Sequence, residues 1–212
     1  MGSGKSSTMR FVAECLQDAG RRALAIHERT DPHPVRATDE LEHWFQPWLD
    51  ATPAQLAERS VHKWRSFALA TLAGDAVAVM DGQLFHGDFT HLFLMDASAS
   101  ELSDHTRRIA EAVAPLSPLV VYFRQEDVAQ AIERVCMERG ADWVKYQVDW
   151  KLAAPYCTRR GYSGLEGLAA LYRDYRRLTD ELFDGLALPK LAIENSSQDW
   201  PTYQRRILQS LG

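Results

Sequence analysis

The sequence predicts an α/β protein in three layers, a parallel sheet flanked by helices. Three observations carry this. Short apolar runs alternate with amphipathic stretches along the chain, the pattern of strands joined by right-handed helical crossovers. A glycine-rich segment, Gly2-Ser3-Gly4-Lys5-Ser6, opens directly into the first amphipathic stretch. A buried-type strand, AVAVM at 76–80, closes on an acid, Asp81.

The opening segment matches the second half of a phosphate-binding loop, G-x-x-x-x-G-K-[ST]. Glycines let the backbone curl so that successive N–H groups point at phosphate oxygens, and the helix that follows turns its positive end to the same anion. In this reading Gly2, Ser3, Gly4, Lys5, Ser6 and Ser7 hold a nucleoside triphosphate. Lys5 reaches the β- and γ-phosphates, and Ser6 offers its hydroxyl to Mg²⁺. The first glycine of the motif falls two residues upstream of Met1, as does the strand that should feed the loop. Met1 fits a variable loop position, so the expectation is an internal methionine of a longer product. The strand expected upstream belongs at the centre of the sheet, and the strands ending near Asp81 and Phe123 are expected to flank its place. The competing reading is an unrelated Gly/Ser start.

The remaining elements follow in order. A helix is predicted from Ser6 to Ala19, with Met9, Val12, Ala13 and Leu16 on one face and Gly20 as its stop. RALAIH at 22–27 reads as a strand. The polar residues after it include Glu28 and His33, which would face the ligand crevice at the strand's carboxyl end; a solvated loop is the alternative. A broken helical segment, 41–49, carries Trp44 and Trp48. Thr52-Pro53 opens a long helix to about Ala73, bearing Arg59 and Lys63. After AVAVM, Asp81 is expected to support Mg²⁺ or to accept a proton from the attacking hydroxyl, with an Asp-Gly turn cap as the alternative. Gln83, His86 and Asp88 follow in a loop. Ser98 and Glu101 form a capping box for a helix to about Ala114. LVVYF at 119–123 is the next strand, and 128–139 the next helix, with Arg134 and Arg139 near its end. Residues 143–151 read as helical, and YCTRRGYSG at 156–164 as a mobile basic loop. A long amphipathic helix at 165–183, a strand at 190–193, the polar turn Asn195-Ser196-Ser197 and a closing helix complete the chain.

Composition bounds the function classes. With 212 residues the chain makes one domain with a full core, and 46% hydrophobic against 25% charged residues describe an ordinary globule. A net charge of −5 argues against a nucleic-acid partner. Cys15, Cys136 and Cys157 form neither a zinc spacing nor a disulfide framework, which points to a reducing cytoplasm. No apolar run reaches membrane-spanning length.

The order of these features resembles P-loop kinases of the nucleoside and nucleotide monophosphate kinase type, thymidylate kinase among them, and a group of uncharacterised bacterial P-loop proteins. The resemblance spans nearly the whole chain, although only GSGKSS is a specific motif. It implies the three-layer P-loop fold with a substrate-side insertion at about 28–60 and a lid-like region at about 139–164. It implies that Arg134 and Arg139, with Arg159 and Arg160, stabilise the transferring phosphate, and that the turn at Asn195–Gln198 lies beside the base of ATP. The sequence departs from the family at Asp81-Gly82-Gln83, where those enzymes carry an arginine nearby, so the acceptor does not transfer.

The expected function is therefore ATP-dependent phosphotransfer, with Mg²⁺, to a small nucleotide- or metabolite-like acceptor. Lys5, Asp81, Arg134 and Arg139 are the candidate catalytic residues, and Ser6 and Asp81 the metal residues. Glu28, His33, Arg59, Gln83 and His86 form the acceptor side. Asn195 belongs to the nucleotide side. The alternatives are a nucleotide-hydrolysing regulatory protein and an antibiotic or other small-metabolite kinase. A homodimer is compatible with either.

Overall fold

The computed structural model describes residues 4–211; Gly2 and Ser3 of the loop lie outside them. The first helix, α1 (Lys5–Asp18), buries Thr8, Met9, Val12 and Ala13, the stripe its periodicity predicts. A reverse turn leads into β1 (Ala23–Ile26). Between β1 and the next long helix the chain makes short 3₁₀ turns at Ala37–Glu40 and Pro47–Leu49, so the broken segment at 41–49 is less helical than expected. Pro47 removes the N–H that a continuous helix needs. Helix α2 (Pro53–Leu72) starts at a full capping box, in which Thr52 accepts from the Gln55 N–H and Gln55 answers to Thr52. It leads to β2 (Val77–Met80).

Asp88, expected in a loop, instead opens the short helix α3 (Asp88–Leu94), buried along almost its whole length. The run FTHLFL is apolar on nearly every side, so periodicity gave it no face, and burial rather than pattern makes it helical. Helix α4 (Ala99–Val113) follows from the Ser98–Glu101 capping box, as expected. Then come β3 (Val120–Arg124), α5 (Val128–Arg139), α6 (Ala141–Leu152), α7 (Pro155–Arg160), α8 (Gly164–Asp184), β4 (Lys190–Glu194) and α9 (Trp200–Leu211). The basic stretch at 156–164 is therefore mostly helix and not a mobile loop. Pro155 sits at the first turn, where its missing N–H costs nothing, and Gly161 closes the helix with φ 66°.

The strands are parallel, as expected, but they do not form one sheet. β1 pairs with β2, Ala23 opposite Val77 and Ile26 opposite Met80. β3 pairs with β4, Val120 opposite Lys190 and Arg124 opposite Glu194. Among the described residues no ladder joins β2 to β3. Between the two half-sheets lies a cavity of about 1290 Å³, lined on opposite sides by residues 76–80 and 119–123. Residues of β2 and β3 are only half-buried as a result. The expectation that these strands flank a gap matches this arrangement.

Three clusters hold the layers together. The largest joins α3, α7 and α8 through Phe89, Phe93, Tyr156 and Leu168. A second joins α2 and α4 through Val61, Trp64, Ile109 and Val113. The third packs α1 and α9 on β4 through Val12, Ile193, Tyr203 and Ile207. Among the described residues no helix is long and apolar enough to cross a membrane.

Candidate functional site

The carboxyl ends of β1 and β2 meet the start of α1. Asp81, 2% exposed, is held from both sides. Its Oδ2 accepts the Ser6 hydroxyl across 75 residues of sequence, and its Oδ1 accepts the Glu28 N–H. The Asp81 N–H in turn donates to the Ile26 carbonyl at 3.1 Å, which continues the β1–β2 ladder by one residue. The side chain therefore points at the loop end of α1 and not into an isolated Asp-Gly turn. His27 Nε2 stands 3.8 Å from Asp81 Oδ2.

Lys5 lies over the next residue. A Cβ built on Gly82 would come within 2.9 Å of Lys5 Cε and 3.6 Å of Glu28 Oε2, and Gly82 has φ 65°. The positive φ favours glycine there, whereas the flexible Lys5 side chain can swing away from an added Cβ. Lys5, Glu28 and Asp81 thus converge around one glycine. Among the described residues Lys5 has no carboxylate within ion-pair distance, so its half-buried ammonium stands beside the positive end of α1. Gly4 caps α1 with φ 76°, and a Cβ on it would run into the Trp200 ring at 2.1 Å. The aromatic residue that opens α9 thus shapes the loop from the other side. Sequence reasoning missed this role of Trp200, and no spacing rule reaches across the chain to reveal it.

The donor set suits Mg²⁺ bound through phosphates and water. Ser6 and Asp81 supply two adjacent oxygens, and Mg²⁺ keeps several waters and commonly takes one or two carboxylates beside substrate phosphates. Among the described residues no cluster of three or more His, Cys, Asp or Glu residues has metal-binding geometry.

The acceptor-side residues separate. Gln83 and His86 line the central cavity with Lys5 and Asp81. The Gln83 side chain folds over Gly87, whose Cβ position lies 2.5 Å from Gln83 Oε1. His86 itself is exposed. His33 is buried behind this region. Its Nδ1 accepts from the Val35 N–H at 3.3 Å, and burial lowers its pKa to about 4. It is therefore neutral and packed, with Nε2 unpartnered among the described residues. Arg59 is exposed on α2, and no hydrogen bond or ion pair among the described residues ties it to Lys5 or Asp81. Its neighbour Lys63 instead pairs with Glu40 at 2.8 Å. Asp88 is a structural group. Its oxygens accept the Ala37 N–H at 2.8 Å and the Thr38 N–H at 3.2 Å, and burial raises its pKa to about 6.

The arginines do not gather at the site. Arg134 is half-buried and Arg139 exposed on α5, and neither lines the central cavity. Arg159 and Arg160 are both drawn to Asp96, at 2.7 and 3.0 Å, and Arg160 also lies over the Tyr156 ring at 3.4 Å. Asn195, 1% exposed, extends the β3–β4 ladder, its N–H donating to the Arg124 carbonyl at 2.9 Å. The turn that follows leads within a few residues to Trp200 and so to Gly4.

Searches against protein-family models, curated proteins and solved structures return no match to this chain. What its own coordinates define is a mixed α/β protein with a glycine-lysine-serine helix start facing a buried strand-end aspartate.

Proposed function

We propose that the chain is a P-loop phosphotransferase, with the three-layer fold of that class, that moves the γ-phosphoryl group of ATP to a small acceptor. The observation that carries the reading is the hydrogen bond from Ser6 to Asp81, which joins the two halves of a nucleotide site otherwise 75 residues apart. Lys5 and the N–H groups opening α1 hold the phosphates. Mg²⁺, when bound, neutralises charge on the phosphate oxygens. Asp81 and Ser6 are the residues that hold it, because each presents an oxygen to the same point. Glu28 stands beside Lys5 and Gly82, where it orients an acceptor hydroxyl or takes its proton. The acceptor enters from the side of Gln83 and His86.

A second reading, ATP hydrolysis by a regulatory protein, is favoured by one observation. Arg159 and Arg160 are committed to Asp96, which leaves the lid-like region without a free arginine pair to close over transferring phosphate.

Titration calorimetry with Mg²⁺-ATP tests the first step. Lys5→Ala should weaken binding by about 10–100-fold, the scale of a lost charge-assisted contact, with the melting temperature unchanged. Equal binding by Lys5→Ala removes the loop from the site. ADP release measured with and without nucleoside monophosphates or hydroxylated metabolites then separates transfer from hydrolysis.

A further inference from the structure

One buried lysine has no acid opposite it. Lys151, in the last turn of α6, is 7% exposed. Elsewhere Lys63 pairs with Glu40, Lys145 pairs with Asp149, and Lys190 donates to the carbonyls of Phe183, Asp184 and Leu186. Among the described residues the Lys151 ammonium makes no ion pair or hydrogen bond. It rests over aromatic rings, 4.2 Å from the centre of Trp150 and 5.6 Å from that of Tyr172. Ring faces recover only part of the hydration that an ammonium loses on burial. Burial lowers the Lys151 amine to about 8, so at neutral pH it still carries its charge. Cys157 is no counter-ion, since burial pushes its thiol up to about 11. Asp149 lies two residues back on a different side of α6 and holds Lys145.

A second polar group stands at the same indole. The His91 ring, on α3, has its centroid 6.3 Å from that of Trp150. His91 is 6% exposed, and neither ring nitrogen has a partner among the described residues. Burial, then the Lys151 charge, pushes its pKa down to about 3, so it is neutral and keeps one N–H to donate. Two helices thus bring a cation and an N–H donor, both without acceptors, to one aromatic wall. That wall is fixed. Trp150 Nε1 donates to the Phe45 carbonyl at 2.6 Å, and the rings of Phe45 and Tyr146 pack on the indole.

We propose that Lys151 and His91 form a binding site for the carboxylate of a small organic acid, walled by Trp150 and Tyr172. Charge decides between oxyanions. One ammonium and one neutral imidazole balance a monoanion, and the two oxygens of a carboxylate accept from both groups. A phosphate dianion would leave one negative charge buried without a partner. The flexible four-carbon stem of lysine lets the ammonium swing off the indole face to meet the ligand. Tyr172 also lines the central cavity, so the site borders the space that Lys5 and Asp81 line. It shares no residue with the cluster of Lys5, Ser6 and Asp81, and the proposal holds whether or not ATP binds.

Calorimetric titration at pH 7 and fixed ionic strength tests it on the parent chain, Lys151→Met and His91→Phe. The probes are sodium propionate, sodium benzoate, inorganic phosphate and chloride. The parent should bind at least one of the two acids saturably, and at least about 10-fold more tightly than phosphate or chloride. Lys151→Met keeps the length of the stem and removes the buried charge, so it should fold with an unchanged or raised melting temperature. It should weaken acid binding by roughly 10–100-fold, the scale of a lost charge-assisted hydrogen bond, and His91→Phe by about 3–10-fold. The proposal is overturned if neither acid binds the parent saturably, or if phosphate or chloride binds it as well as the acids do. It is also overturned if either variant, once shown to be folded, binds the acids as tightly as the parent.

Discussion

Two buried acids stand seven positions apart beyond β2, and they do opposite work. Asp81, at the strand end, accepts one backbone N–H and one hydroxyl, and it faces the loop that bears Lys5. Asp88, at the start of α3, is held chiefly by two backbone N–H groups, from Ala37 and Thr38, with the Ser60 hydroxyl beside it, and pins the chain between β1 and α2. The partners decide the role. A hydroxyl rotates and can donate elsewhere, for example toward a water shared with a metal, whereas an N–H fixed in a turn cannot. The Asp81 region is built to exchange partners and the Asp88 region to keep them.

The same substitution should therefore act on different quantities at the two sites. Asp81→Asn keeps the shape, and its amide satisfies both contacts, accepting from Glu28 and donating to Ser6 Oγ. Phosphoryl transfer should fall by about 10²–10⁴-fold, as for a lost metal support or base, while the melting temperature holds. Full activity in Asp81→Asn would reduce the residue to a turn cap and break the comparison.

The buried region around α3 should instead show itself in stability against pH. Burial lowers the pKa of His33 to about 4, of His91 to about 3 and of His105 to about 4. The unfolded chain takes up protons below about pH 6.5 that these folded imidazoles refuse, so stability falls as pH drops from about 6.5 toward 4. Each group contributes up to about 1.4 kcal/mol per pH unit in that window. Asp88 works the other way. Its folded carboxyl, raised to about 6, holds a proton more tightly than the unfolded one, so it favours the folded state as pH falls through about 6. Three imidazoles outweigh one carboxyl, and chemical denaturation between pH 4 and 7 should show net loss on acidification.

Asp88→Asn sharpens this further. An amide has one acceptor oxygen, so one of the Ala37 and Thr38 N–H groups must face an NH₂. The expected cost at pH 7 is about 1–3 kcal/mol. With the opposing carboxyl gone, the pH dependence between about 4 and 6 should steepen. A variant as stable as the parent, with an unchanged slope, would mean that Asp88 anchors nothing.

The sequence made one of these acids legible and not the other. Asp81 closes an apolar run, and a carboxylate in such a place needs a partner, so its orientation toward Ser6 followed from chemistry. Asp88 looked like one more polar residue in a loop, because α3 is apolar on nearly every side and shows no period. Helix boundaries at Thr52 and Ser98 were legible through local signals, a cap residue followed by proline at the first and a capping box at the second. The division of the strands into two half-sheets agrees with the expectation that the strands ending near Asp81 and Phe123 flank a gap. The Trp200–Gly4 contact and the pairing of both α7 arginines with Asp96 depend on long-range packing, for which a sequence carries no local signal. Periodicity failed outright at 156–164, where basic residues and glycines suggested a loop and Pro155 in fact starts a helix.

The smallest expected effect concerns those arginines, and it bears on whether the Asp81 region has a cationic partner across the site. Arg159 is largely exposed, 66% of its side chain, while Asp96 beneath it is 12% exposed. An exposed arginine in such a pair contributes about 0–1 kcal/mol, because solvent screens it and ordering the long side chain costs entropy. Arg160 adds contact with the Tyr156 ring, and Asp96 keeps one arginine when the other is removed. Arg159→Ala should therefore change stability by less than about 1 kcal/mol and leave ATP turnover unchanged. If turnover instead drops by on the order of 10²-fold while the melting temperature holds, Arg159 must leave Asp96 during the reaction to stabilise phosphate. Asp96 would then be a latch that holds the arginine until nucleotide binds, and the hydrolytic reading would lose the observation that favours it.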